Sequence, residues 1–154
     1  MGRVTDRLAA AGLVLPKPAD ALGSYVPAVR TEQLVFTSGQ LPSRDGSLLA
    51  CGLVGGEVDL ETARECARQA VLNCLAAASS VCDLDDVETV VKLTAYVASA
   101  PGFRAQPKVA DAASEVLSAA FPDAGGHARA AVGVAELPLG APVEVELVLA
   151  LRRE

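Results

Sequence analysis

Two apolar segments near the C-terminus carry polar side chains at alternate positions, and this pattern constrains the fold more than any other. In residues 143–149, valine and leucine alternate with other residues, so that Glu144 and Glu146 share one face. Residues 127–134 alternate in the same way around Arg129. The pattern predicts two strands joined by a proline-rich turn. If the strands are adjacent, the Arg129 guanidinium lies near a carboxylate, either as a structural ion pair or as part of a site that grips a ligand's carboxylate or phosphate.

The rest of the hydropathy pattern predicts one domain with two long helices. The length of 154 residues fits a single domain, and Asp59 is a typical N-cap for the first long helix. Helices packed on one face of a sheet define an α+β domain, and apolar residues on the other face indicate that a second subunit covers it. The further predicted strands are residues 25–30, 34–40, 87–97 and a short edge strand at 51–56, and the predicted helices are residues 4–11, 59–80 and 107–121.

The charge of the chain argues against several classes of partner. The formal net charge is −6, and the only paired basic residues, Arg152 and Arg153, stand at the C-terminal end. Nucleic-acid affinity depends on the neutralisation of phosphates by basic side chains, so we expect no nucleic-acid partner, and no membrane partner for the same reason. The sequence shows neither a signal-peptide core nor an apolar run long enough to span a membrane, and a cytoplasmic protein is therefore expected.

The four cysteines, Cys51, Cys66, Cys74 and Cys82, have no short metal-site spacing, and His127 is the only histidine. Three of them recur every eight residues, a step of about 12 Å along a helix, which is too long for a disulfide. We expect no metal, and we interpret the cysteines as small buried apolar residues in a reducing compartment. A reactive thiol is the alternative.

Two short polar features are candidates for ligand contact. Ser38 and Gly39 end an apolar strand, where a glycine lets a ligand approach the backbone and N–H groups can bind an anion. The alternative is an ordinary strand end. His127 follows a Gly-Gly turn and is either a general base or a partly exposed histidine at a strand edge.

Taken together, six short segments resemble the RidA family, also called YjgF/YER057c/UK114, in order and nearly in spacing. The resemblance covers about residues 20 to 152. It implies a chorismate-mutase-like α+β domain, with a mixed β-sheet and two main helices on one face, that assembles as a homotrimer with a site in each intersubunit cleft. Residues 21–154 then form the domain, and residues 1–20 form an N-terminal extension with a short helix. The six segments are residues 23–26, 36–42, 90–93, 128–132, 137–138 and 143–146.

The resemblance also implies an activity, the hydrolytic deamination of reactive 2-imino and enamine acids to 2-keto acids and ammonia without a cofactor. Arg129 matches the arginine that holds the substrate carboxylate, and Glu144 matches the glutamate that positions the attacking water. A small imino or keto acid is thus the expected ligand. The remaining substrate-binding candidates are Tyr25, Ser38, Gly39 and His127.

Departures from the family pattern keep two other functions open. The deaminase branch has proline where His127 stands, and its asparagine early in the second long helix is not found near residues 106–108. The chain therefore resembles a longer, divergent branch. A non-catalytic trimer that binds small carboxylates as a sensor or scaffold is the main alternative. An endoribonuclease, the older label of some relatives, is less favoured because the chain is acidic.

Overall fold

A five-stranded mixed sheet organises the chain, and the computed structural model describes residues 3–20 and 23–153. The sheet order is β1-β2-β7-β5-β6, and a separate two-stranded hairpin consists of β3 and β4. This arrangement confirms the predicted α+β class. The elements are α1 (Arg3–Ala10), β1 (Ala28–Thr31), β2 (Leu34–Thr37), β3 (Ser43–Arg44), β4 (Ser47–Leu48), α2 (Leu60–Ala78), β5 (Val87–Ala98), α3 (Gln106–Ala120), β6 (Ala128–Val134) and β7 (Val143–Leu151).

Strand β7 forms the middle of the sheet and shows the alternation that the sequence predicts. It pairs antiparallel with β2 on one side and with β5 on the other. On one face, Val143, Val145, Leu147 and Leu149 are buried towards the helices. The residues between them, from Glu144 to Ala150, face the other way. Helices α2 and α3 contact each other and cover the buried face, and α1 packs against α3. The buried valines, leucines and alanines of these layers form the core.

The two C-terminal strands are not adjacent, so the condition for a pair between Arg129 and a carboxylate of β7 is not met. Strand β5 lies between β6 and β7, because helix α3 carries the chain over the sheet and brings β6 back parallel to β5. In the register, Arg129 stands opposite Leu93, whose other neighbour is Leu147. Since both leucines are buried, Arg129 lies on the helix-covered face. Glu144 lies on the opposite face, so the chain does not bring the Arg129 guanidinium and the Glu144 carboxylate together.

The predicted edge strand over residues 51–56 is also wrong. Val54 makes only isolated bridges, to Val58 and Ser99, and Gly52 and Gly55 have φ values of 120° and 87° that interrupt an extended strand. The glycine-rich composition therefore produces an irregular loop at this position.

The short segment between β2 and α2 contains the β3–β4 hairpin. Asp45 and Gly46 form its tip, with φ values of 52° and 81°. Positive φ at both central residues is typical of the type I′ turn, which an Asp-Gly pair favours.

Helix α1 is anchored by hydrogen bonds at its N-terminus and along one side. The Asp85 carboxylate accepts hydrogen bonds from the backbone N–H groups of Arg3 and Val4 at 2.8 and 2.9 Å. The Arg7 Nε donates to the carbonyl of Ala120 at 2.7 Å. The predicted short helix is thus confirmed. Within the described residues, no helix is both long and apolar enough to cross a membrane.

The sheet face away from the helices, hereafter the open face, carries large apolar side chains in contact with solvent. Val29 is 52% exposed, and Phe36 and Val132 are each 42% exposed. These residues come from β1 and β2 at one edge of the sheet and from β6 at the other. Such a surface is typical of a protein interface, and cover by another subunit stays a prediction.

Candidate functional site

A cleft of about 570 Å³ opens beside the N-terminal end of β7, and Glu144 contributes a carboxylate to its wall. The cleft lies between the segment that precedes β1, the end of β2, the β3–β4 hairpin and the turn before β7. Most of its surface is apolar, and its size is within the usual range for small-molecule sites. The lining residues are Ala19, Asp20, Tyr25, Pro27, Gly39, Gln40, Leu41, Ser43, Gly46, Ser47, Leu48, Cys51, Pro138, Leu139 and Glu144.

Glu144 is held against the backbone of Gly39. A Cβ atom built on Gly39 would lie only 2.9 Å from Glu144 Cδ and 2.9 Å from its Oε1, closer than any carbon side chain tolerates. The next residues of the two segments pair, because Gln40 N donates to the Val145 carbonyl at 2.8 Å and Val145 N donates to the Gln40 carbonyl at 3.1 Å. The glycine therefore allows the carboxylate to pack directly on the strand end.

The surroundings of Glu144 favour its protonated form. Burial raises the pKa of the Glu144 carboxyl above its ordinary value, and the negative charge of Glu146 raises it further. Glu146 is itself fixed on the open face by the Tyr96 hydroxyl, which donates to its Oε1 at 2.8 Å. A raised pKa makes the ionised carboxylate a stronger proton acceptor than an ordinary glutamate, which suits a general base.

A buried network of amide side chains holds the wall of the cleft to helix α2. Asn73 Nδ2 donates to the carbonyls of Leu41 and Ser43, each at 2.9 Å, and Gln69 Nε2 donates to Asn73 Oδ1 at 3.0 Å. Arg44 Nε donates to Gln69 Oε1 at 3.0 Å. Sequence reasoning missed these residues. The available signal was two amides four residues apart in the apolar C-terminal half of the helix, which predicts polar partners across the helix face.

The structure gives different positions to the residues predicted to bind substrate near the cleft. Tyr25 and Gly39 line the cleft. Ser38 does not contribute to its lining, because its Oγ donates to the Val26 carbonyl at 2.6 Å and ties the segment before β1 to the end of β2. Ser38 thus positions neighbouring residues rather than facing the cleft.

Cys51 also lines the cleft, so its prediction as a buried apolar residue is wrong. Its side chain is exposed, whereas Cys66 and Cys74 are buried as predicted and Cys82 is half-buried. Burial raises the pKa of the Cys66 thiol to about 11, and it also raises the pKa of the Cys74 thiol. Cys51 escapes burial because it stands in the irregular loop that replaces the expected strand.

Arg129 and His127 lie on the other face of the sheet, beside helix α3. Arg129 Nη1 donates to Asp111 Oδ1 at 2.7 Å and to Ser114 Oγ at 3.2 Å. His127 contacts Ser114 through Nε2 at 2.9 Å and the Gly125 carbonyl through Nδ1. The arginine does therefore pair with a carboxylate, but with one from a helix instead of one from β7.

Among the described residues, neither the cleft around Glu144 nor the surroundings of Arg129 and His127 hold a group of metal ligands. Within residues 3–20 and 23–153, no group of three or more histidine, cysteine, aspartate or glutamate side chains is arranged to hold an ion.

Comparisons with known proteins give a consistent picture along nearly the whole chain. The family model described as Endoribonuclease L-PSP matches residues 16–151. Protein TCP17 of Trypanosoma cruzi is 40% identical over 155 residues, which cover 97% of this chain and 95% of TCP17. Atu1372 from Agrobacterium tumefaciens, a crystal structure of unknown function, is 36% identical with a TM-score of 0.88 and covers 97% of this chain and 94% of its own. The E. coli YjgF gene product is 28% identical with a TM-score of 0.58, over 89% of this chain and 94% of its own.

Proposed function

Because this chain belongs to the endoribonuclease L-PSP family, also called the RidA or YjgF family, we propose that it hydrolyses small 2-imino acids and their enamine tautomers. The products are a 2-keto acid and ammonia. The observation that carries this proposal is Glu144, a half-buried carboxyl with a raised pKa in the wall of a substrate-sized cleft.

The chemistry needs one group that transfers protons and one that holds the substrate. Ionised Glu144 accepts a proton from a water molecule as the water oxygen attacks the carbon of the protonated C=N bond. The resulting tetrahedral carbinolamine carries OH and NH₂ on the same carbon. Glu144 then returns the proton to nitrogen. As the C–N bond breaks and ammonia leaves, the hydroxyl proton passes to the Glu144 carboxylate and the C=O bond of the keto acid forms. Transfer of that proton to ammonia restores the ionised carboxylate.

Arg129 is the group that we propose for the substrate carboxylate, since its guanidinium can form two parallel hydrogen bonds with a carboxylate. Arg129 and Glu144 lie on opposite faces of one sheet, on strands that β5 separates. We therefore propose that the protein assembles as a homotrimer in which Arg129 of one subunit completes the cleft of its neighbour. The apolar open face supports this assembly, because it leaves residues such as Val29 and Phe36 uncovered in the single chain.

A ribonuclease activity has less support, although the family model carries that description. The net charge of −6 repels a polyanionic substrate, and RNA binding depends on basic and aromatic surface side chains. We place the deaminase in the cytoplasm, where a reducing environment keeps its four cysteines free.

The direct experiment measures keto-acid and ammonia release from freshly generated 2-iminopropionate and from bulkier imino acids. Wild type should accelerate release over the uncatalysed rate, and both Arg129→Ala and Glu144→Gln should lose that acceleration. No acceleration by the wild type with any substrate would refute the deaminase. If 2-keto acids bind saturably but imine hydrolysis is not accelerated, the result would instead support a carboxylate-binding protein.

A subunit-mixing experiment tests the shared site. Equal amounts of Arg129→Ala and Glu144→Gln chains are unfolded, mixed and refolded together. Random assembly pairs an intact Glu144 with a neighbour's intact Arg129 at one interface in four, so about a quarter of the wild-type rate should return. Each variant refolded alone is the control. If mixing restores no activity while native mass spectrometry shows mixed trimers, the intersubunit site is wrong.

A further inference from the structure

Ser114, His127 and Arg129 form a hydrogen-bonded cluster between α3 and the start of β6. None of the three residues lines the Glu144 cleft of its own chain. The proposed imine hydrolysis uses Arg129 but gives no role to the Ser114 hydroxyl or the His127 ring. Ser114 Oγ is 2.9 Å from His127 Nε2 and 3.2 Å from Arg129 Nη1. A hydroxyl between an imidazole and a guanidinium is a chemically distinctive arrangement.

The hydrogen-bond partners fix where the protons lie. His127 Nδ1 contacts the Gly125 carbonyl, and because a carbonyl oxygen only accepts, Nδ1 must carry a proton. In the neutral ring, Nε2 then has a free lone pair. Arg129 can only donate, so the Ser114 hydroxyl accepts from Arg129 and its own proton is directed to His127 Nε2.

This use of the serine hydroxyl differs from that of other helix-associated serines in the chain. Ser79 and Ser80, at the end of α2, donate to the carbonyls of Ala76 and Ala77, each at 2.6 Å. Such local bonding is the usual fate of a serine near helical backbone. Ser114 instead makes its hydrogen bonds with side chains outside its helix, and its proton is available to a base.

The cluster also has a cationic group and access from solvent. Arg129 is 26% exposed in its side chain, and its partner Asp111 is 51% exposed. Among the described residues, Arg129 makes hydrogen bonds through Nη1 alone. The other N–H groups of the guanidinium are therefore free to bind an anionic group within a few ångströms of Ser114 Oγ.

From this geometry we propose that Ser114 is a nucleophile activated by His127, and that it acts on small carboxylic esters whose acyl part carries a negative charge. Ser114 Oγ bonds to the carbonyl carbon as its proton passes to His127 Nε2. The C–O bond of the ester then breaks, and the leaving alcohol takes the proton from Nε2. Water hydrolyses the acyl-serine by the same route, releasing the acid and restoring the Ser114 hydroxyl. Arg129 binds the anionic group.

A fluorophosphonate probe tests the nucleophile on the full-length protein. The Ser114 oxygen displaces fluoride from phosphorus, and mass spectrometry of the digested protein locates the adduct. We expect the adduct on Ser114 in wild type, its loss in Ser114→Ala and its persistence in Ser118→Ala, an exposed serine on the same helix. His127→Gln should slow labelling by about 100-fold, since a general base contributes about 10²- to 10⁴-fold.

Hydrolysis of p-nitrophenyl hydrogen succinate, compared with the neutral p-nitrophenyl acetate, tests the substrate class. We expect faster release of p-nitrophenolate from the anionic ester, and loss of that preference in Arg129→Ala. Absence of the adduct from wild-type Ser114, under conditions that label a reference serine hydrolase, would overturn the proposal whether or not any variant folds. Labelling that His127→Gln leaves unchanged would also overturn it. Neither readout depends on imine hydrolysis, so the two activities are tested separately.

Discussion

Replacing Gly39 with alanine should disable the cleft while leaving the fold intact. The added Cβ would lie 2.9 Å from Glu144 Cδ, whereas an unstrained contact between two carbons is about 3.5 to 4.0 Å. The carboxyl carbon must therefore move by at least about 0.6 Å. Gly39 itself has no positive φ, so alanine fits its backbone conformation.

The effects on stability and on activity should separate. Turning the end of the glutamate side chain about 30° off its rotamer costs about 0.5 to 1.5 kcal/mol, and the smaller unfolded-state entropy of alanine returns about 0.4 to 1 kcal/mol. The free energy of unfolding should thus change by less than about 1 kcal/mol. A misplacement of about 1 Å at a reacting group costs about 10²-fold in rate, so kcat for imine hydrolysis should fall by roughly 10- to 100-fold.

The assays are urea unfolding, steady-state kinetics and carboxyl NMR. The NMR titration should find the pKa of Glu144 raised in wild type and closer to the ordinary glutamate value in Gly39→Ala, because the displaced carboxyl is better solvated. Gly56→Ala is the matched control, since its Cβ would meet nothing closer than 3.4 Å. An unchanged Glu144 pKa together with wild-type kcat in Gly39→Ala would refute the close packing from which these values are derived.

Three further predictions concern the regions around the cleft. Asp85→Ala should destabilise the protein by about 1 kcal/mol in thermal unfolding, since it removes the acceptor at the start of α1. Burial raises the pKa of Asp85, but hydrogen bonds from backbone N–H groups outweigh burial and leave the pKa lowered. The stabilisation by Asp85 is therefore present above about pH 4 and is lost as the pH falls further. The stabilities of variant and wild type should converge at low pH, and a difference that stays constant with pH would contradict the prediction. A disulfide reagent should modify Cys51 in the folded protein but Cys66 and Cys74 only after denaturation, and equal rates for all three would show that the burial is wrong. Asn73→Ala should lower the free energy of unfolding by about 2 kcal/mol or more in urea, because two carbonyls of the cleft wall lose their donor, and a neutral effect would exclude the network as an anchor.

Local patterns in the sequence were enough to predict most elements of the fold. A strand buried on one face must alternate with period two, and residues 143–149 do so without interruption, which predicts β7 and the shared face of Glu144 and Glu146. The same reasoning predicts β6, and Asp59 marks the start of α2, where it accepts a hydrogen bond from Thr62 N at 2.7 Å. These signals depend on neighbours a few residues apart, so the chain itself carries them.

Local patterns could not predict the conformation of the glycine-rich loops or the pairing partners of each strand. Residues 51–56 resemble a strand in composition, but positive φ values in their glycines break it, and a single sequence does not reveal the φ that a glycine adopts. Equally, the alternation of β6 and β7 does not say which strands they pair with. The connection through α3 places β6 on the far side of β5 from β7. The register of these strands then puts Arg129 and Glu144 on opposite faces of the sheet.

The sequence by itself therefore determined the class of the fold, the periodicity of its elements and the residue types available for chemistry. Tertiary structure alone decided which of those residues meet. Glu144 packs on Gly39, and Asn73 donates a hydrogen bond to the backbone of Leu41. Arg129 on β6 contacts Ser114 on helix α3. In each case the two residues are far apart in the sequence. Such contacts depend on the order and register of distant strands and helices, which follow from the packing of the whole core and leave no periodic trace in any local segment.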